Sequence, residues 1–318
     1  FERWRSSHQP FHWFVEFYGI MKNGRFDVII GNPPYVEKSK FKQSGYTLKG
    51  FLTEQCSDLY ATVLERSLML SEMQGVLGFI VPISLACADD FAPLQKLLLN
   101  QPRPNWMAHF ANRPSQLFVG AQKRLTILTM GSKTAACRAL YTSKYRRWFK
   151  EERDSVVKTI EYSCQVGLPI VFENSLAKVG SELELSIVKK ALASNIRLGN
   201  YTVAASNFRM YYVRTPGYFC QFWEAPPMVK HIGSGEKRPR GELYSDSFRT
   251  VDDLHICLAV LNSSLFYWYV FTYSDCRHIN RRDVLNFPFD LNMLDKITCQ
   301  SLVNLSHELQ KDYRKNKS

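Results

Sequence analysis

The apolar positions of this chain fall into short β-branched runs and helical stripes over the first 130 residues, and then lose that rhythm. Residues 1–25 mix polar side chains with Trp4, Phe11, Trp13, Phe14, Phe17 and Tyr18 and end on the turn signal Asn23-Gly24. Phe26-Asp27-Val28-Ile29-Ile30, closed by Gly31, reads as a buried parallel strand. Residues 36–57 are polar and Lys-rich, a loop. From Ser57 or Asp58 as N-cap, Leu59, Tyr60, Val63, Leu64, Leu68 and Met69 recur at helical spacing up to a stop at Gln74-Gly75. Val76–Val81 is a second buried strand ended by Pro82; a helix over 90–100 and strands at Trp106–Phe110 and Leu125–Met130 follow. Strand, helix, strand, helix, strand predicts an open α/β sheet.

After Gly131 the texture changes. Residues 138–153 place Arg138, Lys144, Arg146, Arg147, Lys150 and Arg153 among Tyr141, Tyr145, Trp148 and Phe149. The expected organisation is a first domain over 1–135, a basic linker over 136–174 and a second, mixed α+β domain over 175–318. Within the second, Asp252-Asp253 starts a dense apolar stretch, Leu254–Phe271, broken by Asn262-Ser263-Ser264. Residues 291–313 form the cleanest amphipathic helix, with Asp290 as N-cap and Leu294, Ile297, Leu305 and Leu309 on one stripe. No internal repeat or low-complexity segment interrupts the chain.

Composition narrows the classes. At 45% hydrophobic residues the 318-residue chain can bury a core, and its length suits two domains. The formal net charge of +12 favours a polyanionic partner. The best apolar run, Val76–Ala88, contains Gly78, Pro82 and Ser84 and falls short of the ~20 residues a membrane span needs. With no basic-then-apolar leader, a cytoplasmic location and no membrane partner are expected. The eight cysteines are scattered and form no CxxC, which points to reduced thiols rather than disulfides or a metal centre. Phe1 in place of an initiator Met suggests a piece of a longer chain.

The stretch with chemistry in it is Asp27-Val28-Ile29-Ile30-Gly31-Asn32-Pro33-Pro34-Tyr35. A buried strand delivers a rigid turn to the carboxyl edge of a parallel sheet, the edge where open α/β folds bind ligands. Two prolines fix φ and remove two backbone donors, so the carbonyl between them points outward as an acceptor. With the Asn32 side-chain oxygen beside it, two acceptors converge on one point. An amino group with two hydrogens suits them, and a Tyr ring one step on can stack on its planar base. The competing reading is a Pro-rich turn after a strand.

DVIIGNPPY resembles the catalytic motif of the gamma-class N6-adenine DNA methyltransferases and of the fused type IIG restriction-modification enzymes. Gly75–Pro82 with Ser84 resembles that family's next strand, and residues 118–128, opening on Phe118, resemble the segment in which an aromatic residue touches the flipped base. Residues 261–268 and Asn286-Phe287-Pro288-Phe289 are more weakly similar to its carboxyl-terminal recognition region. The resemblance implies a fold made of the carboxyl-terminal part of a Rossmann-like methyltransferase sheet followed by a mixed α+β target-recognition domain. It implies S-adenosyl-L-methionine as cofactor and double-stranded DNA as partner. Asn32 and the Pro33 carbonyl would hold the adenine amino group, with Pro34 completing the turn, Tyr35 stacking on the extruded base and Phe118 on its other side. The family's glycine-rich turn and acidic strand end precede this motif, and only 31 residues precede Asn32 here. Asp27 and Asn32 remain as cofactor contacts, the upstream part of the parent chain is an expected partner, and no nuclease pattern is visible.

Candidate DNA contacts are Lys38, Lys40, Lys42 and Lys49, with Tyr46, on the loop after the motif, and Arg277, Asn280, Arg281 and Arg282, with His278, in the later half. Arg146-Arg147-Trp148, beside Glu151 and Glu152, reads as a solvated helix face. Lys237-Arg238-Pro239-Arg240 reads as a mobile basic loop, and His8, His12 and His109 as structural. The leading function is site-specific DNA adenine-N6 methylation within restriction-modification or phage defence. A protein glutamine-N5 methyltransferase and a non-catalytic DNA-binding module compete with it.

Overall fold

In a computed structural model that describes residues 2–8, 11–41, 48–118, 120, 122–133, 138–165, 174–216, 219–230, 237–239 and 243–315, the chain divides into two units, 1–167 and 168–318. The first contains α1 (Glu2–His8), α2 (Trp13–Glu16), α3 (Tyr18–Asn23), β1 (Phe26–Gly31), α4 (Lys38–Phe41), α5 (Tyr60–Leu70), β2 (Ser71–Pro82), α6 (Ser84–Cys87), α7 (Ala92–Leu99), β3 (Asn105–Phe110), β4 (Leu125–Met130), β5 (Leu140–Arg146) and β6 (Ser163–Cys164). Its strands form one sheet in the order β1-β2-β4-β3-β5-β6. β1 runs parallel to β2 and β3 parallel to β5, while β4 lies antiparallel between β2 and β3. Strands β1, β2, β3 and β5 therefore share one direction, and the loops that follow them leave from one edge. The result is a mixed α/β sheet.

Two features of β1 and β2 differ from the sequence expectation. β1 is parallel but not buried: it is an edge strand, and Val28 and Ile30 are 59% and 77% exposed. A β-branched run reports strand propensity, not the presence of a covering layer. β2 begins at Ser71, so Gln74-Gly75 lies inside the strand rather than ending α5. Ser71 already pairs with Phe26, and a Cβ on Gly75 would lie 2.8 Å from the Phe26 carbonyl oxygen, so the glycine permits close passage of the two backbones. Arg103, fully buried, holds this start in place: it donates to Ser71 Oγ (3.0 Å), to the Glu72 carbonyl (2.8 Å) and to the carbonyls of Gly75 and Gly131.

The stretch 136–174 is not a linker in its described part. β5 and β6 complete the first sheet, and Trp148, fully buried, packs with Ala108, Phe110 and Val156 rather than on a solvated helix face. Arg146 ends β5 and pairs with Glu152 at 3.3 Å. Spacing between charges looked helical there because the apolar member of the cluster is the one turned inward.

The second unit contains α8 (Glu182–Leu192), β7 (Thr202–Val203), β8 (Phe208–Val213), β9 (Phe222–Trp223), β10 (Met228–Lys230), β11 (Lys237–Pro239), β12 (Leu243–Phe248), α9 (Val251–Leu261), α10 (Ser264–Tyr273), α11 (Arg281–Leu285) and α12 (Lys296–Lys315). An antiparallel sheet in the order β7-β12-β8-β9 carries the buried Met210, Tyr212, Phe222 and Phe248, and α9 and α10 add Leu254, Leu258, Phe266 and Val270 to the same core. Lys237–Pro239, expected as loop, is the β11 strand of a hairpin with β10; Arg240 lies outside the described residues.

The break between α9 and α10 follows from its side chains. Ser263 caps α10 by accepting from the Phe266 amide (3.3 Å), and Asn262 both donates to and accepts from the Phe222 backbone at 3.0 Å, acting as a strand partner for β9. No single helix among the described residues is long and apolar enough to cross a membrane; α9 and α10 pass only as a pair, bent by 67°, and their apolar side chains form the core just described.

Helix α12 buries a different face from the one its apolar stripe predicts. Ile297 and Leu305 are 81% and 58% exposed, whereas Val303, Ser306 and Gln310 are buried. The inward groups answer polar partners: Gln310 accepts from the Glu224 amide (3.1 Å) and donates to the Phe222 carbonyl (3.0 Å) at the end of β9. Asp290 caps a 3-10 turn at Leu291–Met293, and Asp295 Oδ1 accepts from Thr298 in the first turn of α12.

Replacing Arg103 by Met should destabilise the first unit by about 3 kcal/mol, because buried carbonyls at the start of β2 lose their donor. Denaturant unfolding followed by fluorescence measures this, and a loss below about 1 kcal/mol would contradict the role.

Candidate functional site

Because β1, β2, β3 and β5 point the same way, the turn after β1, α6 after β2, the 111–124 loop after β3 and residues 147–162 after β5 share an edge. Asn32 to Tyr35 follow β1 without regular secondary structure. Asn32 and Pro34 are exposed, Pro33 is buried and Tyr35 is half-buried. The segment is held at both ends. Leu59 donates to the Val36 carbonyl (3.0 Å), Lys38 donates its amide to the Ser57 carbonyl (2.7 Å), and Glu37 bridges Asp58 in antiparallel fashion.

Tyr35 is the anchor. Its hydroxyl donates to the Ile80 carbonyl in β2 at 2.8 Å, and its ring meets Tyr60 edge-on at 6.5 Å. Tyr60 stacks on Phe91 at 4.9 Å and shares a 2.9 Å hydrogen bond with Ser84, which follows the strand-ending Pro82 by two residues. Burial, assisted by the Asp58 carboxylate, pushes the Tyr35 hydroxyl up to about 12. It therefore stays protonated and keeps donating. Burial also raises Asp58, which is 6% exposed, above the usual carboxylate range.

The 111–124 loop reaches the same place. Lys123 sits over the Tyr35 ring at 5.7 Å, and Ile83 donates to the Arg124 carbonyl at 2.9 Å. Phe118 is half-buried, and the carbonyls just before it, Gln116 and Leu117, accept from Arg153 at 2.7 and 3.0 Å. Motif and Phe118 loop thus lie on one edge. The sequence reading noted Asp58 only as a helix cap, Tyr60 only as a member of the helical stripe, and Ser84 and Lys123 only inside quoted segments; nothing local signals that they meet Tyr35.

Beside the turn runs an open groove of about 540 Å³ along β1, lined by Trp13, Phe26, Val28, Ile30, Pro34 and Val63, with Thr62, Arg66 and Ser67 as its hydrophilic members. Asp27 is exposed on β1 but is not part of that lining. A nucleoside cofactor needs acceptors for its ribose hydroxyls and its amino group. The groove offers no carboxylate, so these residues do not by themselves cradle one.

The DNA-contact candidates separate into engaged and open groups. Lys38 donates to the Thr53 carbonyl at 3.1 Å and to that of Glu54, clasping its own loop. Lys40 and Lys49 are exposed, and Lys42 and Tyr46 lie outside the described residues. In the second unit Arg281 pairs at 2.8 Å with Asp246, whose side chain is inaccessible to solvent, and Arg282 donates to Ser175 at 2.9 Å. Asn280 accepts from Arg214 (3.4 Å), and Arg277 is exposed. Arg281 and Arg282 thus offset the buried carboxylates of Asp246 and Asp283, while the Arg281 side chain stays 61% exposed. His109 is buried with Nδ1 3.0 Å from Thr126 Oγ1, as expected of a structural histidine. His12 instead is exposed, and the His8 side chain lies outside the description.

Residues 2–118 match the model of the Eco57I restriction-modification methylase. The chain is 34% identical over 93 residues to the putative type II restriction enzyme and methyltransferase RM.MjaORFECS2P of Methanocaldococcus jannaschii, covering 29% of this chain and 8% of that protein. It is likewise 34% identical over 82 residues to the modification methylase CviBIII of a Paramecium bursaria Chlorella virus, covering 25% and 20%. This chain thus spans a small part of either relative's length. The type IIL restriction-modification enzyme MmeI in complex with DNA overlays at 11% identity with a TM-score of 0.45, covering 89% of this chain and 49% of that one, too loose an overlay to bear on function.

Arg281→Ala strands the Asp246 carboxylate and should cost the second unit about 3 kcal/mol, whereas Arg277→Ala should change stability by less than about 0.5 kcal/mol. Thermal or urea unfolding distinguishes the two; equal losses would place Arg281 among the solvated cations instead.

Proposed function

We propose that this chain carries the target-base edge of a site-specific, S-adenosyl-L-methionine-dependent DNA adenine-N6 methyltransferase of restriction-modification or phage defence. The observation that carries the reading is the Asn32-Pro33-Pro34-Tyr35 turn, tethered through Tyr35 to Ile80 at the parallel edge, inside a segment that matches a restriction-modification methylase model. An amino group delivered to the turn meets the Asn32 side-chain oxygen and the Pro33 carbonyl. Two acceptors in fixed positions draw the amino lone pair out of conjugation with the ring, so the nitrogen becomes a nucleophile without a strong general base. Tyr35, its hydroxyl pinned to β2, offers a ring whose plane is set before the base arrives, and Phe118 borders the same edge. The cation Lys123 over Tyr35 would neutralise a nearby phosphate of an extruded nucleotide.

Among the described residues the groove along β1 presents no acidic partner for a nucleoside. The cofactor's remaining binding groups belong, on this reading, to other parts of the parent protein. The net charge of +12 and the exposed Lys40, Lys49 and Arg277 support duplex DNA as substrate rather than a protein amide. The incomplete groove also favours a second reading, a DNA-binding module without transfer of its own.

In the full-length protein, Asn32→Ala and Tyr35→Ala should each lower methyl transfer to duplex DNA by at least about 100-fold while duplex affinity changes less than about threefold. Labelled methyl incorporation, with the product nucleoside identified, reads the first quantity and salt-dependent binding the second. Equal loss of both would overturn the assigned roles, and a methylated base other than adenine would overturn the substrate.

A further inference from the structure

Three side chains from distant parts of the second unit converge outside the site described above. Glu224 directly follows β9, His255 lies in α9 and His307 lies in α12. His255 Nε2 is 3.6 Å from Glu224 Oε2, the two imidazole rings are 3.8 Å apart at their centres, and one ligand atom from each of the three residues lies within 4.8 Å of the others.

The surroundings orient each of them. His255 is 3% exposed, and its Nδ1 shares a 3.0 Å hydrogen bond with the buried Ser306 hydroxyl, leaving Nε2 facing Glu224. Glu224 uses its other oxygen, Oε1, to pair with Arg314, and its amide donates to Gln310 at 3.1 Å, which fixes the carboxylate from behind. His307 is exposed and closes the group from the solvent side.

We propose that Glu224, His255 and His307 form a binding site for a divalent transition-metal ion of the zinc class. Two imidazoles and one carboxylate, with no thiolate among them, form a borderline ligand set suited to zinc. Ligand atoms about 2.0–2.2 Å from a tetrahedral zinc lie roughly 3.3 Å apart, close to the 3.6 Å separation of His255 and Glu224. His307, exposed at the surface, supplies the third ligand atom within 4.8 Å of the other two. Ser306 and Arg314 supply the outer contacts that such ligands require. Three protein ligands leave a fourth position open to water at the surface. An ion here would tie together the β9 end, α9 and α12. The site is independent of the methyl-transfer reading.

Protein stripped with chelator and titrated with zinc(II) tests it by calorimetry, with cobalt(II) as the spectroscopic probe. Expected are one saturating equivalent, a raised unfolding temperature and tetrahedral cobalt absorption. His307→Ala and Glu224→Gln should weaken binding at least about tenfold, and Ser306→Ala should weaken it by a similar factor through His255 alone. His307 is exposed, so its variant should keep the native circular dichroism. Absence of a saturable equivalent would overturn the site, as would zinc affinity unchanged by His307→Ala, which would place the ion on the cysteine thiols.

Discussion

The parallel pairing of β1 on β2 governs the first unit. In register from Val28 opposite Val76 to Gly31 opposite Phe79, it aims the turn after β1 over the end of β2 and puts Tyr35 within hydrogen-bonding reach of Ile80. Gly75 makes the pairing possible, since any side chain there would strike the Phe26 carbonyl. Had β1 paired antiparallel, Asn32 and Tyr35 would leave from the opposite edge to the Phe118 loop, and the two halves of the candidate base pocket would never meet.

The site combines rigid and open parts. Tyr35, Tyr60, Phe91 and Ser84 form a chain of ring and hydroxyl contacts that fixes the floor of the edge. Asn32, Pro34 and Val28 remain exposed beside it. A base-binding edge needs both: fixed acceptors so that little reorganisation accompanies binding, and open surface so that a large planar guest can enter. Exposed apolar side chains along β1 and in the adjoining groove are costly in water.

The second unit handles its charges differently. Buried Asp246 and Asp283 are matched by Arg281 and Arg282, and the ends of β9 are closed by the side chains of Asn262 and Gln310 instead of by another strand. These polar groups help to hold the unit together, and Arg277 in the same segment is exposed.

Much of the first unit was legible from local pattern. β-branched runs at Phe26–Ile30 and Val76–Val81, strands near 106–110 and 125–130, and helices near 60–70 and 92–99 were readable because each is specified by contacts within a few residues. The NPPY segment stands out in the sequence for a similarly local reason, its two adjacent prolines beside an Asn. Burial was not legible. The exposure of Val28 and Ile30, the inward Trp148 and the polar buried face of α12 depend on which layers and partners arrive from elsewhere in the chain. The pairing of Arg281 and Arg282 with acidic partners was not legible either, because charge alone does not reveal a buried carboxylate opposite. Lys123 over Tyr35 and the meeting of Glu224, His255 and His307 link residues far apart in sequence, with no periodicity to announce them. Local sequence was enough for most elements of the first unit and for the place of the NPPY segment after β1; which faces are buried and which distant side chains meet was set by the tertiary structure, because those depend on the free energy of long-range packing rather than on local backbone preference.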